Sequence, residues 1–160
     1  MQEGVVLVLF LLSTTTVGAR SGLDPGDGTI LPVDVSRGLL HQCSRDAPHD
    51  VGGAWLPAVK QIRELESRLP AALKAMASQK GKRLAQSGDF RRQYAGFTIG
   101  ERKVIYVNAF PRSAGDPSPG RSFDWHDETV LVCDGGPAFF GVEYDPEKGT
   151  FDHFEFNGPL

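Results

Sequence analysis

The densest run of side chains able to do chemistry is Asp124-Trp125-His126-Asp127-Glu128. An imidazole among three carboxylates could form an acid–base pair or part of a zinc site, with Trp125 as a stacking platform. On an extended chain, neighbours point in opposite directions, so only His126 and Glu128 would share a face. One imidazole and one carboxylate fall short of the three or four ligands that zinc takes. His153 would join them only if its strand runs nearby. Asp124, Trp125, His126 and Glu128 are therefore the candidate binding residues. The plainer reading is a solvated histidine at the lead-in to a strand. No catalytic residue, metal ligand or cofactor is assigned.

Cys43 and Cys133 are the two cysteines. An even count in an exported chain favours a disulfide, and closing so long a loop would stabilise the fold by about 4 kcal/mol through loop-closure entropy. The competing reading makes Cys43 a nucleophile beside His41 or His49, but nearness in sequence is little evidence for a catalytic pair. No stretch matches a metalloprotease helix, a nucleophile elbow, a phosphate-binding glycine loop, a dinucleotide fingerprint or a calcium loop.

The elements that would position these residues begin with an apolar stripe. Val59, Ile62, Leu65, Leu69, Leu73 and Met76 recur every three or four residues between Pro57 and Ser78, which predicts a helix. Pro70 interrupts it, and an interior proline costs about 3 kcal/mol. The stripe keeps its phase, so the expectation is a kinked helix or two short helices facing one surface. Tyr94–Ile99 and Lys103–Phe110 read as a hairpin turning at Gly100 and Glu101. Glu128–Asn157 reads as three further strands, with breaks at Asp134-Gly135-Gly136-Pro137 and at Asp145-Pro146-Glu147-Lys148-Gly149. The second break has the form of a type I turn with a bulge.

Val104–Val107 and Val130–Val132 are apolar on both alternating faces, so the sheet needs cover on both sides. The helix supplies one cover, and the segment of Leu39 and Leu40, tied by Cys43, supplies part of the other. Phe151 and Phe154 are expected on opposite strand faces, leaving some aromatic surface exposed. The Pro-rich stretch from Pro111 to Trp125 reads as a long loop. The expected fold is α+β, a kinked or broken helix on one antiparallel sheet of four to five strands.

Gly4–Leu12 is an unbroken apolar run, and Val17 and Ala19 are the small residues of a cleavage site, so residues 1–19 read as a secretory signal. The n-region departs from that pattern, with Glu3 and no Lys or Arg. Residues 20–35 read as a flexible leader and 36–160 as a single domain. Removing Glu3 leaves the mature chain one charge less negative than its formal −3. Basic residues concentrate between Lys80 and Arg112, and acidic ones from Asp124 onward. The two segments are expected to neutralise each other. The basic stretch lacks the interleaved aromatics of a nucleic-acid surface, and nothing implies a stable membrane anchor after cleavage.

The blocks QCSR at Gln42–Arg45, YVNAFP at Tyr106–Pro111, VCDGGPAFFGVEYDP at Val132–Pro146 and FNG at Phe156–Gly158 resemble a group of small exported bacterial proteins of uncharacterised function. The resemblance implies a periplasmic or secreted protein and carries no activity or site residue. In layout alone, a helix followed by an antiparallel meander is similar to cystatin-like and PepSY-like modules. Two functions fit. One is an exported non-catalytic binding or inhibitor-like module of the bacterial envelope, its partner another envelope protein. The other is a small hydrolase or ligand-binding domain with its site around Asp124, His126 and Glu128.

Overall fold

A computed structural model describes residues 28–81, 89–115 and 123–159. The expected signal segment, the first half of the leader, part of the polar connection after the helix and the centre of the Pro-rich loop lie outside the described residues. The strands are β1 (Gly28–Ile30), β2 (Val51–Trp55), β3 (Phe90–Ile99), β4 (Arg102–Pro111), β5 (Phe140–Asp145) and β6 (Thr150–Phe156). The helices are α1 (Val33–Ser36), extended by a 3₁₀ turn at Arg37–Leu40, and α2 (Val59–Gln79). The fold is α+β with a six-stranded sheet.

The sheet is antiparallel except where β1 runs parallel to β3. Its order is β1-β3-β4-β5-β6, and β2 also pairs with β3. β1 lies along Arg92–Tyr94 and β2 along Gly96–Ile99, so the two short strands share one edge of β3 end to end. The folded chain thus includes Gly28–Val35, which the sequence assigned to a flexible leader, and Leu31 is 1% exposed. These two strands also raise the count above the expected four to five.

Both expected hairpins form. Gly100 adopts φ +59° in the β3–β4 turn, a conformation only glycine takes cheaply. In the β5–β6 turn the Asp145 carboxylate accepts the N–H groups of Glu147 and Lys148 at 3.0 Å each. Burial raises the Asp145 pKa, but these backbone donors and the Lys148 ammonium together outweigh it and hold the carboxyl below its usual value.

α2 is a single 21-residue helix that passes through Pro70, rather than two short helices. It starts at Val59, leaving Pro57 just outside, and the Gln61 side chain accepts the Ala58 N–H at 2.9 Å. Ile62, Leu65, Leu69 and Leu73 pack on Tyr94, Ile105, Val107, Phe140, Val142 and Tyr144, as the stripe predicts. Glu66 fixes the helix laterally, accepting the Tyr94 hydroxyl at 2.7 Å and pairing with Arg92 Nε at 3.1 Å.

The opposite face of the sheet is covered by two irregular segments. Leu31 and Leu39 of the first pack on Ala95, Phe97, Val104 and Tyr106. Trp125 and Val130 of the second pack on Phe110. The second segment includes Val130–Val132, expected as a strand, and no strand forms between residues 123 and 139. Cys43 and Cys133 are disulfide-bonded, as expected, and the bond joins one covering segment to the other.

β6 carries a bulge. Glu143 pairs with Asp152 and Gly141 with Glu155, so β6 holds one residue more than β5 over the same span. His153 absorbs it at φ +46°. The extra residue corrects the expected facing of the aromatics. Phe151, Phe154 and Phe156 all lie against the helix-side core.

Leu65 is completely buried beneath the sheet. Leu65→Ala should therefore cost about 2–5 kcal/mol in urea unfolding. A loss under about 0.5 kcal/mol, as for a surface change, would refute the packing.

Candidate functional site

The face of β3 and β4 turned away from α2 carries two polar residues directly opposite each other, Gln93 and Asn108. They are 0% and 2% exposed. The segment 125–134 crosses above them without a neighbouring strand, so its backbone groups need side-chain partners. Gln93 Nε2 donates to the carbonyls of Trp125 and Glu128, both at 2.6 Å, and Gln93 Oε1 accepts the Val130 N–H at 3.0 Å. Asn108 Nδ2 donates to the Val130 carbonyl at 2.9 Å and to Gln93 Oε1 at 3.0 Å. Asn157 Nδ2 reaches the carbonyls of Val132 and Asp134 at 2.6 and 2.8 Å. Arg45 completes the network, donating Nε to the Tyr106 hydroxyl at 3.2 Å and its terminal nitrogens to Asn108 Oδ1 and Asn157 Oδ1.

This network places the candidate residues read from the sequence. Trp125 is 5% exposed and packs edge-on against Phe110, with Arg91 over its ring, so its surface is used as core. His126 lies on the Trp125 ring at a centroid distance of 3.9 Å, with Nδ1 2.6 Å from Asp124 Oδ1. Glu128 Oε1 accepts the Asp124 backbone N–H at 3.2 Å. Asp124, His126 and Glu128 thus stay together, in a single turn closed by the N–H groups of Asp127 and Glu128 on the Asp124 carbonyl. Their mutual contacts are those of a capped turn. His153 does not join them; it lies against Glu143 instead.

A cleft of about 270 Å³ opens elsewhere on the same face. Its lining includes Asp46, His49 and Asp50 from the first covering segment, Arg102 and Tyr106 from β4, Glu143 from β5, and His153 and Glu155 from β6. Glu143 is 5% exposed. Its Oε2 is buried without a hydrogen bond of regular geometry, while His153 Nδ1 stands 3.0 Å away at ion-pair distance. The bulge explains the pairing. Keeping three phenylalanines on the core inserts one residue between Asp152 and Glu155, the partners of Glu143 and Gly141, and that residue, His153, turns to Glu143.

The cleft is chemically tuned. Interaction with the Glu143 carboxylate, through short-range hydrogen bonding first and charge second, raises the His153 pKa against the opposing effect of burial. Burial likewise raises the Tyr106 phenol, against the lowering pull of Arg45. Gly141 makes this approach possible, because a Cβ there would lie 2.3 Å from the Tyr106 hydroxyl and 2.9 Å from Arg45 Nε. Among the described residues, no group of three or more His, Cys, Asp or Glu side chains is placed to hold a metal ion.

The chain matches no protein-family model, no curated protein and no solved structure.

Glu143 does not stand out in the sequence, because a carboxylate in an alternating strand looks like an outward residue. The signal available was phase. Phe151, Phe154 and Phe156 cannot share a strand face without an irregularity between the first two.

Trp125→Ala should cost about 3–5 kcal/mol in urea unfolding, and His126→Ala at most about 1 kcal/mol. Equal costs would contradict the division between a core tryptophan and a half-exposed histidine.

The Glu143–His153 pair adds stability at acid pH. Because the folded-state pKa of His153 is raised, its contribution is fully present below the unfolded value, near 6.5. It is lost as pH rises through the higher folded value. His153 is mostly exposed, so solvent screening keeps the effect small. An NMR titration should show His153 titrating above its value in the denatured chain, and lower in Glu143→Gln. An unchanged value in that variant would dissociate the two residues.

Proposed function

We propose that the protein is an exported, non-catalytic binding module of the bacterial envelope, and that its site is the cleft over Glu143. The observation carrying this reading is a nearly buried carboxylate with an oxygen lacking a regular hydrogen bond, beside a histidine in a conformation seldom adopted outside glycine. Such strain gathers at functional sites, and perturbed titratable groups in a cleft point the same way. The lining supplies carboxylates, imidazoles, a guanidinium and a phenol, a set suited to recognising charge and hydrogen bonds. Its volume lies just under the roughly 300–1,000 Å³ of drug-sized pockets, which suits one inserted group better than a whole substrate.

Export rests on the apolar leader and on the resemblance to small exported bacterial proteins. The Cys43–Cys133 bond supports an oxidising compartment, periplasmic or extracellular. The inhibitor-like form of this reading draws on the cystatin-like layout of a helix over a meander. The alternative of a hydrolase or ligand site around Asp124, His126 and Glu128 is weaker, because Trp125 is committed to the core and the three polar residues cap one another.

The test is capture from an envelope extract by the immobilised mature protein. Glu143→Gln, shown to be folded by its amide spectrum, should retain less than about a tenth of the captured material, a loss of about 1.4 kcal/mol or more. Asp124→Asn should capture as the parent does. If Glu143→Gln captures normally and Asp124→Asn does not, the site lies in the capped turn after all.

A further inference from the structure

The cleft is lined by more negative charge than it neutralises. Asp46, Asp50, Glu143 and Glu155 face it together with one guanidinium, Arg102. Glu155 is already engaged, 2.9 Å from Lys80 Nζ. Arg45, a further cation on this face, gives Nε and both terminal nitrogens to the neutral oxygens of Tyr106, Asn108 and Asn157. Glu143 is the innermost of the four carboxylates at 5% exposure, and its Oε2 has no regular hydrogen bond. A carboxylate withdrawn from water is costly unless a charged donor meets it. The protonated His153 imidazole can fill that role, but it stands on the outer side of the pair, with its own side chain 63% exposed. It can therefore swing toward solvent and leave Glu143 open from the cleft.

Building on the reading of this cleft as the binding site, we propose that it receives a cationic group, an ammonium or a guanidinium, which takes the place of the His153 imidazolium on Glu143. Asp46 and Asp50 line the entrance from the first covering segment and add long-range attraction. A planar guanidinium could engage a carboxylate with two parallel hydrogen bonds, where an ammonium acts as a point charge. Such a group is carried equally by a free amine and by a basic side chain of a protein.

Displacement makes the affinity depend on pH. The groups acting on His153 are Glu143 and Asp152, which favour its protonation, and Arg102, which opposes it. Asp46, His49, Asp50 and Glu155 complete the charged surroundings across the cleft. While His153 is protonated it competes with the ligand for Glu143, so binding strengthens as the pH rises and the imidazolium is lost. With the ordinary histidine value near 6.5 as a lower bound, affinity should rise at least about tenfold between pH 5.5 and 8.

The experiment uses the mature full chain, isotope-labelled, titrated with n-butylguanidinium, n-butylammonium, neutral butyramide and butyrate. The two cations should shift the amides of Tyr106, Glu143 and His153, and the neutral and anionic probes should not. Glu143→Gln should weaken cation binding at least tenfold, and Glu147→Gln, in the exposed β5–β6 turn, should leave it unchanged. His153→Ala should keep cation binding but flatten its pH dependence. A capped Gly-Arg-Gly peptide binding at least tenfold tighter than butylguanidinium identifies a protein side chain as the source; the reverse order identifies a free amine. Equal binding of butyramide, or cation binding indifferent to Glu143→Gln, overturns the proposal. Glu143-dependent capture from an extract without cation binding removes this inference alone, whereas the loss of both removes the binding-module reading with it.

Discussion

Everything on the far side of the sheet depends on one requirement, that a buried peptide group must have a hydrogen-bond partner. The segment from Trp125 to Asp134 crosses the sheet where a strand would lie beside it, and so has no ladder to join. Gln93, Asn108 and Asn157 replace that ladder with side-chain amides, each offering both a donor and an acceptor. Arg45 orients two of them by occupying their oxygens. Removing one member would leave several backbone groups unpaired in a region of low dielectric, so the network stands or falls together. It also sets the geometry around the cleft, since the arginine that holds Asn108 and Asn157 also holds Tyr106.

The two faces of the sheet are therefore stabilised differently. The α2 side is a hydrocarbon interface of leucines, phenylalanines and tyrosines, with Glu66, Arg92 and Tyr94 as a polar anchor within it. The other side divides into two apolar clusters with a polar strip running between them along Gln93, Asn108 and Tyr106. A uniformly apolar face would have been filled by packing. The strip admits side chains that prefer water, and the cleft forms beside it, where Glu143 comes alongside.

How far this was legible in the sequence follows from how local each signal is. The stripe of Ile62, Leu65, Leu69 and Leu73 has the helical period, and it outweighs Pro70 because the apolar face is buried along its whole length. The turns at Gly100 and Asp145–Gly149 are short-range chemistry, and both form as read. Val130–Val132 misled because three branched or apolar residues suit a strand locally, while the decisive partners are Gln93, Asn108 and Asn157, remote in sequence. β1 and β2 are too short to declare themselves and exist because β3 offers them an edge. The Cys43–Cys133 bond was legible from the even count of cysteines and the expectation of export. The turn of Asp124, His126 and Glu128 was legible as a cluster of residue types, but not as a turn whose members cap each other. The Glu143–His153 pair was hidden because it depends on the bulge, which is set by the competing demands of both faces of β6 at once.

The position of the disulfide has a consequence for the cleft. Neither cysteine lies in a strand. The helix-side core is built from residues that do not include them. The bond therefore acts as a clasp outside the sheet, tying the first covering segment to the second. Asp46, His49 and Asp50 follow directly behind Cys43, so the wall they add to the cleft of Glu143 is tethered through that bond. One side of the cleft is thus anchored covalently, and the other, on β4 to β6, by the hydrogen bonds of the sheet.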